Sequence, residues 1–189
     1  MKKLLYAGLA VTLAGAASAV TMQWASASAI KFNGSNLKSD ETVTGYLIAV
    51  DSFADKYDVT AAFTAANVGT VATEKNKTSA MSKISDNWTI DTDTYSNGDT
   101  FAMLLKYTGA TDGKTYWNLS SSLVTLTGMS LDPPVNAEDT TSAFSFGTAA
   151  TAGTLTAGGG WTAAAAVPEP GTAALALLGI GMLLKRRRA

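Results

Sequence analysis

Threonine, serine, alanine and glycine, with β-branched and aromatic residues set among them, fill the middle of this chain, and that mixture suits pleated strands better than helices. Thr42 to Val50, TVTGYLIAV, is the first good strand candidate, and its apolar run is continuous from Tyr46 to Val50, as in a strand covered on both faces. In WTIDTDTYSNGDTFAMLLKY, Asn97-Gly98 separates two extended stretches. Both residues tolerate φ > 0, so the pair predicts a tight hairpin joining strands over Trp88 to Tyr95 and Thr100 to Tyr107. A second hairpin around Asp112-Gly113 leads into Thr115 to Leu119, and Ser122 to Gly128 and Ser142 to Gly147 alternate apolar with polar residues. Short strands so spaced predict a mainly β fold, a small antiparallel β-sandwich or jelly-roll-like domain.

Two stretches depart from this pattern. Ser52 to Asn67, SFADKYDVTAAFTAAN, offers Ser52 as an N-cap, Asp55 three residues on and Asn67-Val68-Gly69 as a stop, which predicts one short helix. Residues 148–166 are rich in glycine, alanine and threonine and read as a linker, with an edge strand near Thr154 to Thr156.

Removing a targeting segment at each end leaves about 150 residues, enough for one domain with a modest core. Lysine and arginine number 14 and aspartate and glutamate 15. Six of the bases, Lys2, Lys3, Lys185, Arg186, Arg187 and Arg188, sit near the two ends, so the interior taken as residues 4–184 holds 8 bases against 15 acids, a net of −7. Such an interior repels phosphate backbones and argues against nucleic acid as a partner. Histidine and cysteine are both absent. With them go the commonest general base, the commonest metal ligand, the thiolate nucleophile and disulfide staples. The domain must hold together by burial and backbone pairing alone.

Residues 1–19, MKKLLYAGLAVTLAGAASA, have the form of a secretory signal: Lys2 and Lys3, an apolar stretch from Leu4 to Ala16, then Ala17 and Ala19 as the small residues that signal peptidase contacts. The expected cut follows Ala19, and Ala25-Ser26-Ala27 and Ala27-Ser28-Ala29 offer alternatives. At the other end, Thr172 to Leu184 is uncharged. As a helix it would span only about 20 Å, against a hydrocarbon core of about 30 Å. By length alone it would be a buried core helix. It follows two prolines, however, and is closed by Lys185, Arg186, Arg187 and Arg188, whose stems can snorkel and whose charges resist translocation. That context makes it a short transmembrane helix with stop-transfer charges, the mismatch being met by bilayer thinning.

The order Val167-Pro168-Glu169-Pro170, apolar segment, terminal basic cluster resembles the PEP-CTERM protein-sorting signal. The resemblance implies processing close to the motif by an exosortase, an intramembrane transpeptidase-like enzyme of Gram-negative bacteria that typically also make exopolysaccharide. The residues suit that role. Two prolines fix φ and donate no hydrogen bond, so Pro168 to Pro170 is expected to stay extended outside the membrane, with Glu169 as a charged handle.

Several constellations invite a chemical reading. Asp91, Asp93, Asn97 and Asp99 have the alternating oxygens of a calcium loop, but Tyr95 and Ser96 occupy the positions where that motif needs an oxygen ligand and glycine. A solvated hairpin tip is the expectation. Asp51, Asp55 and Asp58 would share one face of a helix, more simply as a wet face than as a metal site. Trp88, Trp117 and Trp161, with Tyr46, Tyr95, Tyr107 and Tyr116, would make either a sugar platform or a core; Trp88 and Tyr107 are assigned to the core and Trp117 is left open. Sequons begin at Asn33, Asn76, Asn87 and Asn118.

The layout expected is a signal peptide over residues 1–19, a β-rich domain over 30–147, the linker over 148–166 and the sorting signal over 167–189. The function expected is that of an exported, non-enzymatic surface or matrix protein without cofactor or metal, structural or adhesive in an exopolysaccharide setting. Its partners would be the Sec translocon, signal peptidase, exosortase and, through the C-terminal helix, the membrane. The rivals are a carbohydrate-binding module, which requires Trp117 or Trp161 on an exposed flat face, and a hydrolase working with carboxylates alone.

Overall fold

The computed structural model describes residues 19–164 apart from 39–40, 61, 78–82, 109–111 and 152. The expected signal and transmembrane helices lie outside the described residues. In chain order the strands are β1 (Thr21–Ser26), β2 (Lys31–Phe32), β3 (Ser35–Asn36), β4 (Thr42–Ala49), β5 (Thr70–Lys77), β6 (Ser85–Thr89) and β7 (Thr100–Thr108). They continue with β8 (Tyr116–Leu119), β9 (Val124–Thr125), β10 (Ser130–Leu131), β11 (Pro134–Val135), β12 (Thr140–Phe144), β13 (Ala150–Thr151) and β14 (Trp161–Ala163). The larger sheet runs β13-β14-β8-β7-β4-β5, with β9 also on β7; the smaller runs β12-β1-β6. Two small hairpins, β2-β3 and β10-β11, stand apart.

The unbroken apolar runs of β4 and β7 place these two strands side by side in the middle of the larger sheet, and both faces of that sheet are covered. Phe101, Met103, Leu105 and Tyr107 of β7 point inward and share an apolar cluster with Val43 and Leu47 of β4 and with Met22, Trp24, Trp88 and Phe144 of the smaller sheet. Gly45 lets the layers close up: a Cβ there would sit 3.0 Å from Ile84 and 3.1 Å from Met103. On the outer face Ile48, Ala102, Leu104, Trp117 and Leu119 lie under Tyr57, Val59 and Phe63. Burying each such large side chain contributes about 1.5–3 kcal/mol, which is how a chain without cysteine stays folded. The exposed edge strand β5 carries Glu74 and Lys75, charges that discourage pairing with another chain. Lys75 also reaches Asp86 of β6 at 3.2 Å, a half-exposed pair worth little by itself.

The mainly β expectation, β4 and the β7-β8 hairpin across Asp112-Gly113 agree with this architecture. Four expectations are corrected. The sheets are mixed, since β1 pairs with β12 and β13 with β14 in parallel. Asn97-Gly98 does not close a hairpin: β6 ends at Thr89 and pairs with β1, and residues 90–99 cross from one sheet to the other. Gly98 does adopt φ 104°, but its N–H goes to the Leu126 carbonyl at 2.9 Å. The Asn97 carboxamide exchanges bonds of 2.7 and 3.1 Å with the Met129 backbone. The turn chemistry was local; the choice of partner was not.

The predicted helix over Ser52 to Asn67 is instead an irregular strap. Tyr57 exchanges backbone bonds of 2.9 and 3.0 Å with Leu155, and one 3-10 turn at Ala65–Asn67 is the helical part. Burial of Tyr57, Val59 and Phe63 on the outer sheet face outweighs a helical preference that the β-branched Val59 and Thr60 already weaken. The segment read as a linker is structural too. Leu155 bridges Tyr57 within the expected edge stretch, and β13 and β14 extend the larger sheet. Gly160 serves close approach rather than flexibility: a Cβ on it, at φ +92°, would lie 2.4 Å from the Ala149 carbonyl oxygen, and one on Gly147, just ahead of the segment, only 2.7 Å from the Gly160 nitrogen.

Candidate functional site

The chain leaves the folded body through β14, inside the sheet. Thr162 pairs with Trp117 and Ala163 with Tyr116. The Ala164 N–H then donates to the Thr115 carbonyl at 2.7 Å. Trp161, which pairs with Ala150 of β13, is fully buried and its indole N–H donates to the Lys31 carbonyl at 2.7 Å. Ala164 is the last described residue, and four residues of extended chain reach at most about 14 Å, so Pro168 cannot lie farther than that from the body. Val167, Pro168, Glu169 and Pro170, the charges Lys185, Arg186, Arg187 and Arg188, and Ala17 lie outside the described residues. Ala19 is exposed and directly precedes Val20, which is 2% exposed and part of the inter-sheet core.

The β7-β8 hairpin beside this exit is fixed by Asp112. Gly113 takes φ 70°. The Asp112 carboxylate accepts the Lys114 N–H at 3.1 Å and the Tyr116 hydroxyl at 2.6 Å. Donating to Asp112, and secondarily burial and the carboxylate's charge, push the Tyr116 phenol up to about 12; the same hydroxyl, then the Lys114 N–H, hold Asp112 below its ordinary value. The two signs are opposite in their pH dependence. The Asp112 contribution is present above the ordinary carboxylate pKa and is lost as pH falls through and below it. The Tyr116 contribution is present below its ordinary pKa of 10.0 and is lost as pH rises from there towards about 12. A spectrophotometric titration of tyrosinate is expected to show a phenol ionising near 12 that Asp112→Asn moves back towards 10, while unchanged curves would remove the pair as the cause.

The oxygen-rich loop is occupied by its own backbone. Asp91 accepts the Asp93 N–H at 3.2 Å and the Thr94 hydroxyl at 2.7 Å, and Asp99 accepts the Ser96 N–H at 2.7 Å. These carboxylates brace the crossing between sheets. They also flank Tyr95, whose phenol is pushed up by burial first and then by the charges of Asp91 and Asp99. Asp51 and Asp99, with Thr94 and Tyr95, line an open cleft of about 270 Å³. Asp51, Asp55 and Asp58 are exposed, and the helix that would have aligned them is not formed. Among the described residues no cluster of three acids could hold a metal ion.

Trp88, Tyr107, Tyr116, Trp117 and Trp161 form core, not a platform, and Tyr46 and Tyr95 pack half-buried against it. Trp117 is 3% exposed, packed edge-on against Phe63 at 5.1 Å with the Lys106 ammonium 5.5 Å from its ring centre. Trp161 meets Phe32 and Tyr107 at 5.9 and 5.7 Å, and Trp88 meets Tyr95 and Phe101 at 5.1 and 5.4 Å. Trp24, fully buried on the central strand of the smaller sheet, lies before residue 30 and so fell outside the domain drawn from the sequence. Its alternation with Met22 in TMQWAS was the available signal. Of the sequons, Asn118 is buried and donates to the Gly147 carbonyl at 2.7 Å, while the Asn33 carboxamide accepts the Ala150 N–H at 2.7 Å and that of Asn76 accepts the Thr44 hydroxyl. Asn87 is exposed.

Residues 166–189 match the family model of the PEP-CTERM protein-sorting motif. The tail of the chain is therefore a protein-sorting motif, and that motif implies an exported protein, anchored in a membrane and processed by an exosortase. No curated protein and no solved structure matches the chain. Among the described residues no helix is long and apolar enough to cross a membrane.

Proposed function

We propose that this chain is a non-enzymatic surface or matrix protein. A signal peptide cut after Ala19 delivers it across the inner membrane, the segment from about Thr172 holds it there with Lys185 to Arg188 on the cytoplasmic side, and an exosortase processes it near Pro168 to Pro170. The body then serves a structural or adhesive role at the cell surface, in an exopolysaccharide setting. The observation that carries this reading is the sorting motif at residues 166–189. Further support comes from the exit through β14, which keeps Pro168 within about 14 Å of the body. The absence of histidine and cysteine, and the commitment of Asp91 and Asp99 to backbone N–H groups, favour a non-enzymatic role. The sugar-platform rival needs Trp117 or Trp161 in the open, and both are buried.

The test is the intact mass of the chain recovered from a host that carries an exosortase. A mature chain running from Val20 to the neighbourhood of Pro168 to Pro170 is the expected result. A mass that still includes Lys185 to Ala189 would make the helix a permanent anchor, leave the body facing the periplasm, and remove the surface and matrix reading.

A further inference from the structure

The larger sheet has two unlike ends. At one, which holds the chain's exit, lie Thr42, Thr108, Thr115 and Ala164: Thr42 pairs with Thr108, and Ala164 bonds Thr115. At the other, β4 ends at Ala49 and β5 and β7 begin. Three segments gather at that far end. Val50 donates to Thr100 at 3.0 Å, Leu126 to Asp99 at 2.7 Å and Ala137 to Thr21 at 3.0 Å.

Their charges are of one sign. Segments 50–51, 90–99 and 126–139 contain seven carboxylates, among them Asp51, Asp91, Asp93 and Asp99, and no lysine or arginine. The exit end carries Lys38 and Lys114, both exposed, and Lys106 farther up β7. Its described acids, Glu41 and Asp112, match Lys38 and Lys114 in number: Glu41 accepts the Lys38 N–H at 2.6 Å, and Asp112, which accepts the Tyr116 hydroxyl at 2.6 Å, pairs with the Lys114 ammonium at 3.7 Å. The body is thus an electrical dipole aligned with its strands, its less negative pole at the point where the tail departs.

We infer that, while the tail is inserted, the body stands end-on against the bilayer with its exit end on the lipid headgroups and its acidic end outermost. The inference rests on the anchoring role proposed for the tail. Seven residues lie between Ala164 and Thr172, and a chain of eight residue steps reaches at most about 26–29 Å. An inverted body would hold Ala164 at least the length of β4, about 26 Å, above the membrane, so the tether would have to be drawn nearly taut. A body lying on its side would satisfy the tether, and there the dipole decides, because an anionic surface repels the carboxylate end. Once the body is upright those carboxylates lie well beyond the Debye length of about 8 Å. Their repulsion is then screened, while Lys38 and Lys114 remain within it.

The absence of cysteine makes the test direct: single cysteines at the exposed Thr108 and Asp93 place a fluorophore at either end of the full-length chain. The protein is reconstituted in phosphatidylethanolamine vesicles holding a minority of phosphatidylglycerol and a lipid with a quencher on its headgroup. Quenching several-fold stronger at position 108 than at 93 is expected. Near such a surface each lysine lost weakens docking about fivefold, so Lys38→Glu with Lys114→Glu should collapse the contrast, as should vesicles without phosphatidylglycerol. Equal quenching at the two positions, or stronger quenching at 93, overturns the inference. A chain that does not float with the vesicles at all overturns the anchoring role beneath it instead.

Discussion

A body ended at Gly147 will fail to fold, whereas one ended at Ala164 will melt cooperatively. The shorter chain loses Leu155 and Trp161, both fully buried, together with β13 and β14. Emptying a core site of Leu or Trp size typically costs about 2–5 kcal/mol each, and domains of this size have only about 5–15 kcal/mol in hand. The loss also strips backbone partners from β8, frees the two Tyr57 bonds to Leu155 and opens the Phe32, Tyr107 and Trp161 cluster. With no disulfide to constrain the unfolded chain, nothing offsets these losses. Thermal melts of residues 20–147 and 20–164, followed by circular dichroism, make the comparison. A cooperative transition of the shorter chain within a few degrees of the longer would show that β14 is ornamental.

The second large effect lies at the other boundary. A chain beginning at Ile30, the product of a cut after Ala29, is expected to remain unfolded, and one beginning at Val20 to fold. Residues 20–29 contain β1, the strand between β12 and β6, so its removal leaves the smaller sheet with no pairing at all. It also takes away Met22 and Trp24 from the inter-sheet core and the Ser26 hydroxyl that accepts the Ile84 N–H at 3.2 Å. A cut after Ala27 removes the same strand. Of the three small-residue sites, cleavage after Ala19 alone preserves the body, and even there Val20 must keep its carbonyl on the Ile90 N–H at 2.9 Å. Dispersion of the amide NMR spectrum of residues 30–164 would decide the point, a folded spectrum being the result that sinks it.

These two boundaries show where sequence reading reaches its limit. The strand candidates at Thr42 to Val50 and Thr100 to Tyr107 were legible because an unbroken run of large apolar residues has to be covered on both faces wherever it sits. The turn at Asp112-Gly113 was legible because its demand for positive φ is local. The tail was legible for the same reason, its prolines, apolar run and basic cluster lying within one short stretch. Residues 148–164 were misread because the same glycines serve two opposite ends. Gly147 and Gly160 let two backbones approach within a distance that no Cβ tolerates, and nothing in a run of glycine and alanine announces that a second backbone will be there.

What the sequence determined by itself is therefore the β character of the body, its dependence on burial in the absence of cysteine, and the sorting motif at its end. The tertiary structure alone decided which strands are partners, that Ser52 to Asn67 lies as a strap rather than a helix, and that Trp117 and Trp161 are interior. The physical reason is separation along the chain. The Trp161 indole answers the Lys31 carbonyl and the Thr21 N–H answers the Asn136 carboxamide, across 130 and 115 residues. Such pairings take their free energy from surfaces that exist only once both sheets have formed.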